Sequence, residues 1–204
     1  MEQANIMIKS SVFATFLVAT LSTLSSPVFS ADARYTLDPA HTTVAFLIDH
    51  VGFAKTLGQF TDVSGTFSYD SDTQQVSDVS IVVKTASVES FNKARDKHVR
   101  NKDFLNTKKY PEMVFTATEA TLAQDGSGTV NGELELLGQT LPLALTVTLN
   151  KAEAYPFGHK RFTLGVSASG ALKRSAYGME YGVANALVGD EVQIIIETEA
   201  IQDK

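Results

Sequence analysis

The sequence predicts an all-β protein: an antiparallel barrel of about eight strands with one helical insert between the third and fourth. Three observations carry this. Apolar and polar residues alternate with period 2 in segment after segment. Turn-forming residues separate those segments at near-regular spacing. One long stretch, Phe91–Pro111, departs from the pattern. Strands do not alternate with helices, so a parallel sheet is not expected. A sheet that is apolar on one face must close on itself or fold into a sandwich to bury that face. Segments of about 9–14 residues suit the barrel.

The elements follow in order. Val12–Leu24 is an apolar run of 13 residues. It is too short to cross a bilayer, which takes about 20 residues as a helix. Lys9 precedes it, and Val28 and Ser30 fit the small-residue rule for cleavage after Ser30. Residues 1–30 therefore read as a secretory signal peptide and residues 31–204 as one exported domain. Thr42–His50 puts Val44, Phe46, Ile48 and His50 on one face. Thr56–Tyr69 carries Phe60, Val63, Phe67 and Tyr69, with Phe60 out of phase, so a bulge is expected near Asp62. Val76–Val88 alternates through Val79, Ile81 and Val83.

After the insert, Glu112–Leu122 resumes the β pattern with Phe115, and Asp125-Gly126-Ser127-Gly128 marks a hairpin. Thr129–Leu137 sets Val130, Leu134 and Leu136 against Asn131, Glu133 and Glu135. Leu141–Leu149 alternates likewise. Phe162, Leu164 and Val166 oppose Arg161, Thr163 and Ser167. A loop with Arg174, Tyr177, Gly178 and Met179 leads to a last strand holding Val192, Ile194 and Ile196 on one face. This large inward set suits a filled core or a hollow one equally well, because both need the same alternation.

Charge is unevenly placed. The insert gathers Lys93, Arg95, Lys97, Arg100, Lys102, Lys108 and Lys109 against Asp96 and Asp103. That surplus of five leaves −11 on the remainder of a chain whose net charge is −6. An acidic body argues against nucleic-acid binding. There is no cysteine, so neither disulfides nor thiolates contribute. A basic cap on an acidic barrel suits transient contact with a membrane surface, and equally a solvated connecting helix.

Catalytic patterns do not emerge. Ser-x-x-Lys, Gly-x-Ser-x-Gly and His-Glu-x-x-His are absent, as is a glycine-rich phosphate loop. An enzyme thus has no positive support in the sequence, and neither catalytic residues nor a cofactor are expected. His41 and His50, nine apart, fall on opposite faces of a regular strand, so a shared metal site would need a bulge. His98 with Asp96 and Asp103 would be the other candidate metal site. The simpler reading makes both aspartates helix caps and ion-pair partners, and no metal is expected. Arg174 and Tyr177 either meet a ligand head or order their loop.

An ordered set of motifs resembles the YceI-like family. It begins with Tyr35-x-Leu37-Asp38-Pro39-x-His41 and Val44-x-Phe46-x-Ile48-x-His50. Gly58-x-Phe60, Arg95-Asp96-x-His98 with Asp103-Phe104, and Tyr110-Pro111-x-x-x-Phe115 follow. Gly132-x-Leu134 with Gly138, Arg174-x-x-Tyr177-Gly178-Met179 and Val188-Gly189-Asp190-x-Val192 complete it. Thr42 stands where the family often has Ser. The lipocalin sequence family is a poorer match, since the chain has no Trp.

The resemblance implies an extended, lipocalin-like barrel in the periplasm, holding a long-chain lipid in a hydrophobic tunnel. An isoprenoid, such as a quinone side chain, or a fatty lipid is the implied ligand, and a homodimer is a common form. The lipid-lining residues are then Phe46, Ile48, Phe67, Ile81, Val83, Phe91, Phe104, Phe115, Leu134, Phe162, Leu164 and Val166. Arg95, Asp96, His98 and Arg174 fall at the entrance or head group. The alternative is a filled barrel serving a membrane redox partner, with no lipid bound.

Overall fold

The computed structural model describes residues 32–204; the signal peptide and cleavage site expected from the sequence lie outside the described residues. Among the described residues, ten strands and one short α-helix follow one another. They are β1 (Asp32–His50), β2 (Ala54–Phe60), β3 (Val63–Asp70), β4 (Gln75–Lys84), β5 (Val88–Glu89), α1 (Lys93–Val99) and β6 (Glu112–Thr121). Then come β7 (Ser127–Leu136), β8 (Gln139–Ala154), β9 (Phe162–Lys173) and β10 (Val188–Gln202). Pairing runs β10-β9-β8-β7-β6-β4-β3-β1, and β1 pairs back onto β10, which closes an antiparallel barrel. β2 continues β3 along the second half of β1, and β5 continues β4 alongside β2. The ten segments are therefore eight staves, as the alternation predicts, with the insert between the third and fourth.

The break in the second stave has a physical cause. Phe60 and Val63, three apart, are both buried, at 8% and 5% exposed. Two inward side chains at odd spacing cannot share one regular strand. Thr61 and Asp62 absorb the slip: Thr61 N donates to Ser87 O at 3.3 Å and Lys84 N donates to Asp62 O at 3.0 Å. The irregularity predicted near Asp62 is real, and it is a gap between two strands.

β1 carries a larger irregularity. Its register with β10 passes from Leu37↔Ala200 to Thr42↔Thr198, so residues 38–41 face Glu199 alone. Pro39 has no N–H for the ladder, which favours leaving it here. Asp38 holds the loop, accepting from Ala40 N at 2.9 Å on its carboxylate and from Thr42 Oγ1 at 2.7 Å on its carbonyl.

The two ends of the barrel differ. At the lower end Tyr35, Tyr69, Leu122, Leu164 and Ala200 fill the interior, each at most 5% exposed. Tyr35 stacks on Phe67 at 5.7 Å between centroids. Burial, with the charge of Tyr69 adding, pushes the Tyr35 phenol up to about 12. Full burial of a side chain such as Leu164 is worth about 1.5–3 kcal/mol. The upper end receives the β1–β2 turn, the basic insert, the β7–β8 turn and the β9–β10 loop.

Candidate functional site

Above that filled end the barrel encloses a cavity of about 520 Å³. Its walls come from every stave, through alternating residues such as Val44, Phe46 and Ile48 of β1, and Val192, Ile194 and Ile196 of β10. The interior is thus hollow over the cavity and solid below it. Thr42 and Thr198, on the wall, satisfy each other at 2.6 Å between hydroxyls. The other polar lining groups gather at the upper end: Asp49, His50, Thr56, Ser90, Arg95, His98 and Arg174. An apolar wall penalises a charge and accepts a hydrocarbon chain, while the upper end can hydrogen-bond a polar head.

Nine of the twelve lining residues read from the sequence border this cavity: Phe46, Ile48, Phe67, Ile81, Val83, Phe104, Phe115, Leu134 and Val166. Three do not. Phe91 is 69% exposed; its backbone takes a φ of 62° at the step from β5 to α1, and its ring stays outside. Phe162 and Leu164 have the expected phase but sit too low on β9. Leu164 pairs with Ala200 in the solid end, and Phe162 packs against that core. Phe60 and Val63 also line the cavity and were obscured by the slip between β2 and β3. Met179, Tyr181 and Leu187 line it from the β9–β10 loop, where no periodicity could reveal them.

Of the entrance residues, Arg95, His98 and Arg174 reach the cavity and Asp96 does not. Asp96 is turned to Ser90, accepting from its N at 2.8 Å and its Oγ at 2.5 Å. Burial works to raise its pKa, yet the Ser90 hydrogen bonds and the Arg100 and Arg95 charges hold the carboxyl below its usual value. Neither aspartate caps the helix. That role belongs to Asn92, whose side chain accepts from Ala94 N and Arg95 N at 3.1 Å each. Arg95 Nε donates to Ser90 Oγ at 2.7 Å and Arg100 Nε to Ala86 O at 2.8 Å. Two of the seven cations thus tie the insert down to the third stave.

The insert and the β9–β10 loop lock together over the cavity. The His98 ring meets Phe104 edge-on at 5.0 Å and Tyr181 at 4.9 Å, and Phe104 meets Tyr181 at 5.2 Å. His98 Nε2 lies 3.1 Å from Asp103 Oδ2. Arg174 sits 5.7 Å over the Phe104 ring and is 1% exposed. Its guanidinium donates to the carbonyls of Gly189, Met179, Tyr181 and Val188 at 2.7–2.8 Å. Burial lowers its pKa, and Asp190 opposes the shift. The open question about Arg174 resolves toward ordering the loop, and its position against Phe104 makes it part of the cavity roof as well.

The residues considered for a metal are rearranged. Asp96 is committed to Ser90, which dissolves the set with His98 and Asp103. The β1 bulge brings Asp38 and His41 beside Glu199, one ligand atom from each lying within 4.8 Å of the others. This group is on the outer surface at the far end from the cavity mouth. Its members already serve one another: His41 Nδ1 is 2.8 Å from Asp38 Oδ2 and 3.6 Å from Glu199 Oε2. His50 lines the cavity mouth instead.

Comparison with known proteins agrees with this architecture. Residues 35–200 match the model of the YceI-like domain. Protein YceI of Escherichia coli is 34% identical over 187 residues, which span 91% of this chain and 95% of that protein. The crystal structure of Burkholderia cenocepacia BcnA superposes with a TM-score of 0.71 at 23% identity, over 80% of this chain and 98% of that one. A polyisoprenoid binding domain from Saccharophagus degradans superposes with a TM-score of 0.61 at 16% identity, over 83% and 98%. With one family model spanning the whole closed barrel, this chain belongs to the YceI-like family.

Proposed function

We propose that this chain is a periplasmic binding protein that holds one long-chain isoprenoid or fatty lipid in the barrel lumen, as a carrier or a store and not as an enzyme. The observation that carries this reading is the 520 Å³ apolar cavity with its polar groups gathered at one end. That volume is within the range of small-molecule sites, about 300–1,000 Å³. The distribution suits an amphipathic ligand lying head-up, chain-down. The Saccharophagus degradans neighbour, described as a polyisoprenoid binding domain, supports the same ligand class. A barrel filled throughout, the form expected of an accessory protein without lipid, would lack such a cavity.

The test is organic extraction of protein purified from its host, followed by mass spectrometry. About one long-chain lipid per protein is the expected result. Protein that stays lipid-free in its host and takes up neither an isoprenoid nor a fatty acid afterwards would overturn the reading. Export is checked separately, by N-terminal sequencing of periplasmic protein, which should begin at Ala31.

A further inference from the structure

We propose that the upper rim of the barrel is a docking surface for an anionic lipid bilayer. Exposed apolar side chains collect there: Phe53 is 91% exposed, Phe91 69%, Tyr181 46%, Leu187 43% and Val51 40%. They belong to three connections that meet around the cavity mouth. Val51 N donates to Leu187 O at 3.2 Å, joining the β1–β2 turn to the β9–β10 loop. Tyr181 meets His98 of the insert. Phe91 follows Ser90, which lines the cavity, and precedes Asn92, which caps α1.

The backbone makes this placement pointed. Val51 and Phe91 take φ of 57° and 62°, a conformation that suits Gly or Asn and disfavours bulky or β-branched residues. Val51-Gly52 forms a tight turn closed by Phe53 N donating to His50 O at 3.2 Å, a turn whose first central position ordinarily takes Asn. Apolar side chains held at such positions and left in water do not serve the core. The lower end also exposes an aromatic, Phe157 at 66%, but its ring rests against Tyr155 at 5.0 Å.

Charge selects the partner. Apart from the buried Arg174 and Asp96, the upper-end connections, residues 51–53, 90–111, 137–138 and 174–187, hold seven Lys and Arg against two Asp and Glu. The lower-end connections, residues 71–74, 122–126 and 155–161, hold two of each sign. Aromatic and aliphatic side chains ringed by lysines match the interface of a bilayer rich in anionic headgroups. The docked mouth would open toward the leaflet, so a lipid chain could pass between lumen and bilayer without crossing water. That purpose rests on the lipid-binding reading; the docking itself does not.

The experiment is vesicle flotation of the protein as its host processes it. Vesicles of phosphatidylcholine with one-third phosphatidylglycerol are compared with phosphatidylcholine alone. Wild type should float with the anionic vesicles at least tenfold more than with the neutral ones, and lose most of that binding in 0.5 M NaCl. Phe53→Ser with Phe91→Ser should cut anionic-vesicle binding about tenfold. Lys93→Gln, Lys97→Gln and Lys102→Gln together should remove the salt dependence. Equal flotation on both vesicles, or unchanged binding of the double Ser variant, overturns the proposal. So does light scattering that shows a wild-type dimer which the double Ser variant splits, because the patch then belongs to a second copy. Bound lipid is measured on the same samples. Vesicle binding by a protein that carries no lipid leaves docking standing and removes the carrier; lipid-loaded protein that ignores vesicles does the reverse.

Discussion

The ring of Phe46 lies across Gly58 on the neighbouring strand, its Cζ 2.3 Å from where a β-carbon on residue 58 would stand. The two are register partners between β1 and β2, and Phe46 forms cavity wall at that level. Gly58→Ala therefore drives the ring aside. The obstructing atoms are the far end of a side chain with open cavity beside it, so stability should fall by no more than about 1 kcal/mol. Bound lipid should fall several-fold. Parallel thermal unfolding and extraction measure both; a large loss of stability with normal lipid content would contradict this packing.

Ile81 faces the cavity from β4. Ile81→Trp should fill part of the lumen, cutting lipid content several-fold while costing under about 1 kcal/mol. An overpacked solid core would instead lose about 1–3 kcal/mol or more. Denaturant unfolding beside lipid extraction separates the two: sharply lower stability with unchanged lipid would mean that the tunnel is not where the ligand lies.

Arg174 is a buried cation whose donors are spent on four backbone carbonyls. Lysine offers a single ammonium and cannot reach all four. Arg174→Lys should cost about 2–4 kcal/mol, since each buried carbonyl left unpaired costs about 1–3 kcal/mol. The β9–β10 loop should loosen first. Hydrogen exchange at Met179–Gly182 and the urea midpoint are the readouts, and unchanged protection there would contradict the assigned role.

The Asp38–His41–Glu199 group makes stability depend on pH. The hydrogen bond to Asp38, with the Glu199 charge adding, raises the His41 pKa above its ordinary 6.5. The same bond, assisted by Ala40 N and opposed by some burial, lowers the Asp38 carboxyl below 3.8. A raised histidine contributes stability below 6.5 and loses it as pH rises through the raised value. A lowered aspartate contributes above 3.8 and loses it as pH falls through the lowered value. The pair therefore helps most between about pH 4 and 6.5. His41→Ala should flatten the difference in Tm between pH 5.5 and pH 8, and an NMR titration should find the His41 midpoint raised.

How far the sequence reaches is visible at particular residues. Val44, Phe46 and Ile48 show their inward phase in the bare alternation, because side chains on a strand change face at every residue. Phe60 and Val63 do not, since the two-residue gap between their strands resets the phase. Leu164 shares the inward phase of Val166, yet one packs in the solid end and the other borders the cavity; period 2 reports the face and not the height. Tyr181 and Leu187 lie in an aperiodic loop whose course depends on Arg174. Asp38 and Glu199 are far apart in sequence and meet only because four residues of β1 bulge against one of β10.

By itself the sequence determined the all-β class, the eight staves, the place of the basic insert and the identity of most of the apolar face. These follow from local steric alternation and turn chemistry, which each short segment carries alone. Only the tertiary structure decided that the barrel is hollow above and filled below, that Phe91 stands outside while Phe104 roofs the lumen, and that Arg174 is spent on its own loop. Those outcomes depend on how far each stave slides past its neighbours when the ring closes. Strand register and shear are properties of all eight staves together, and no single segment encodes them.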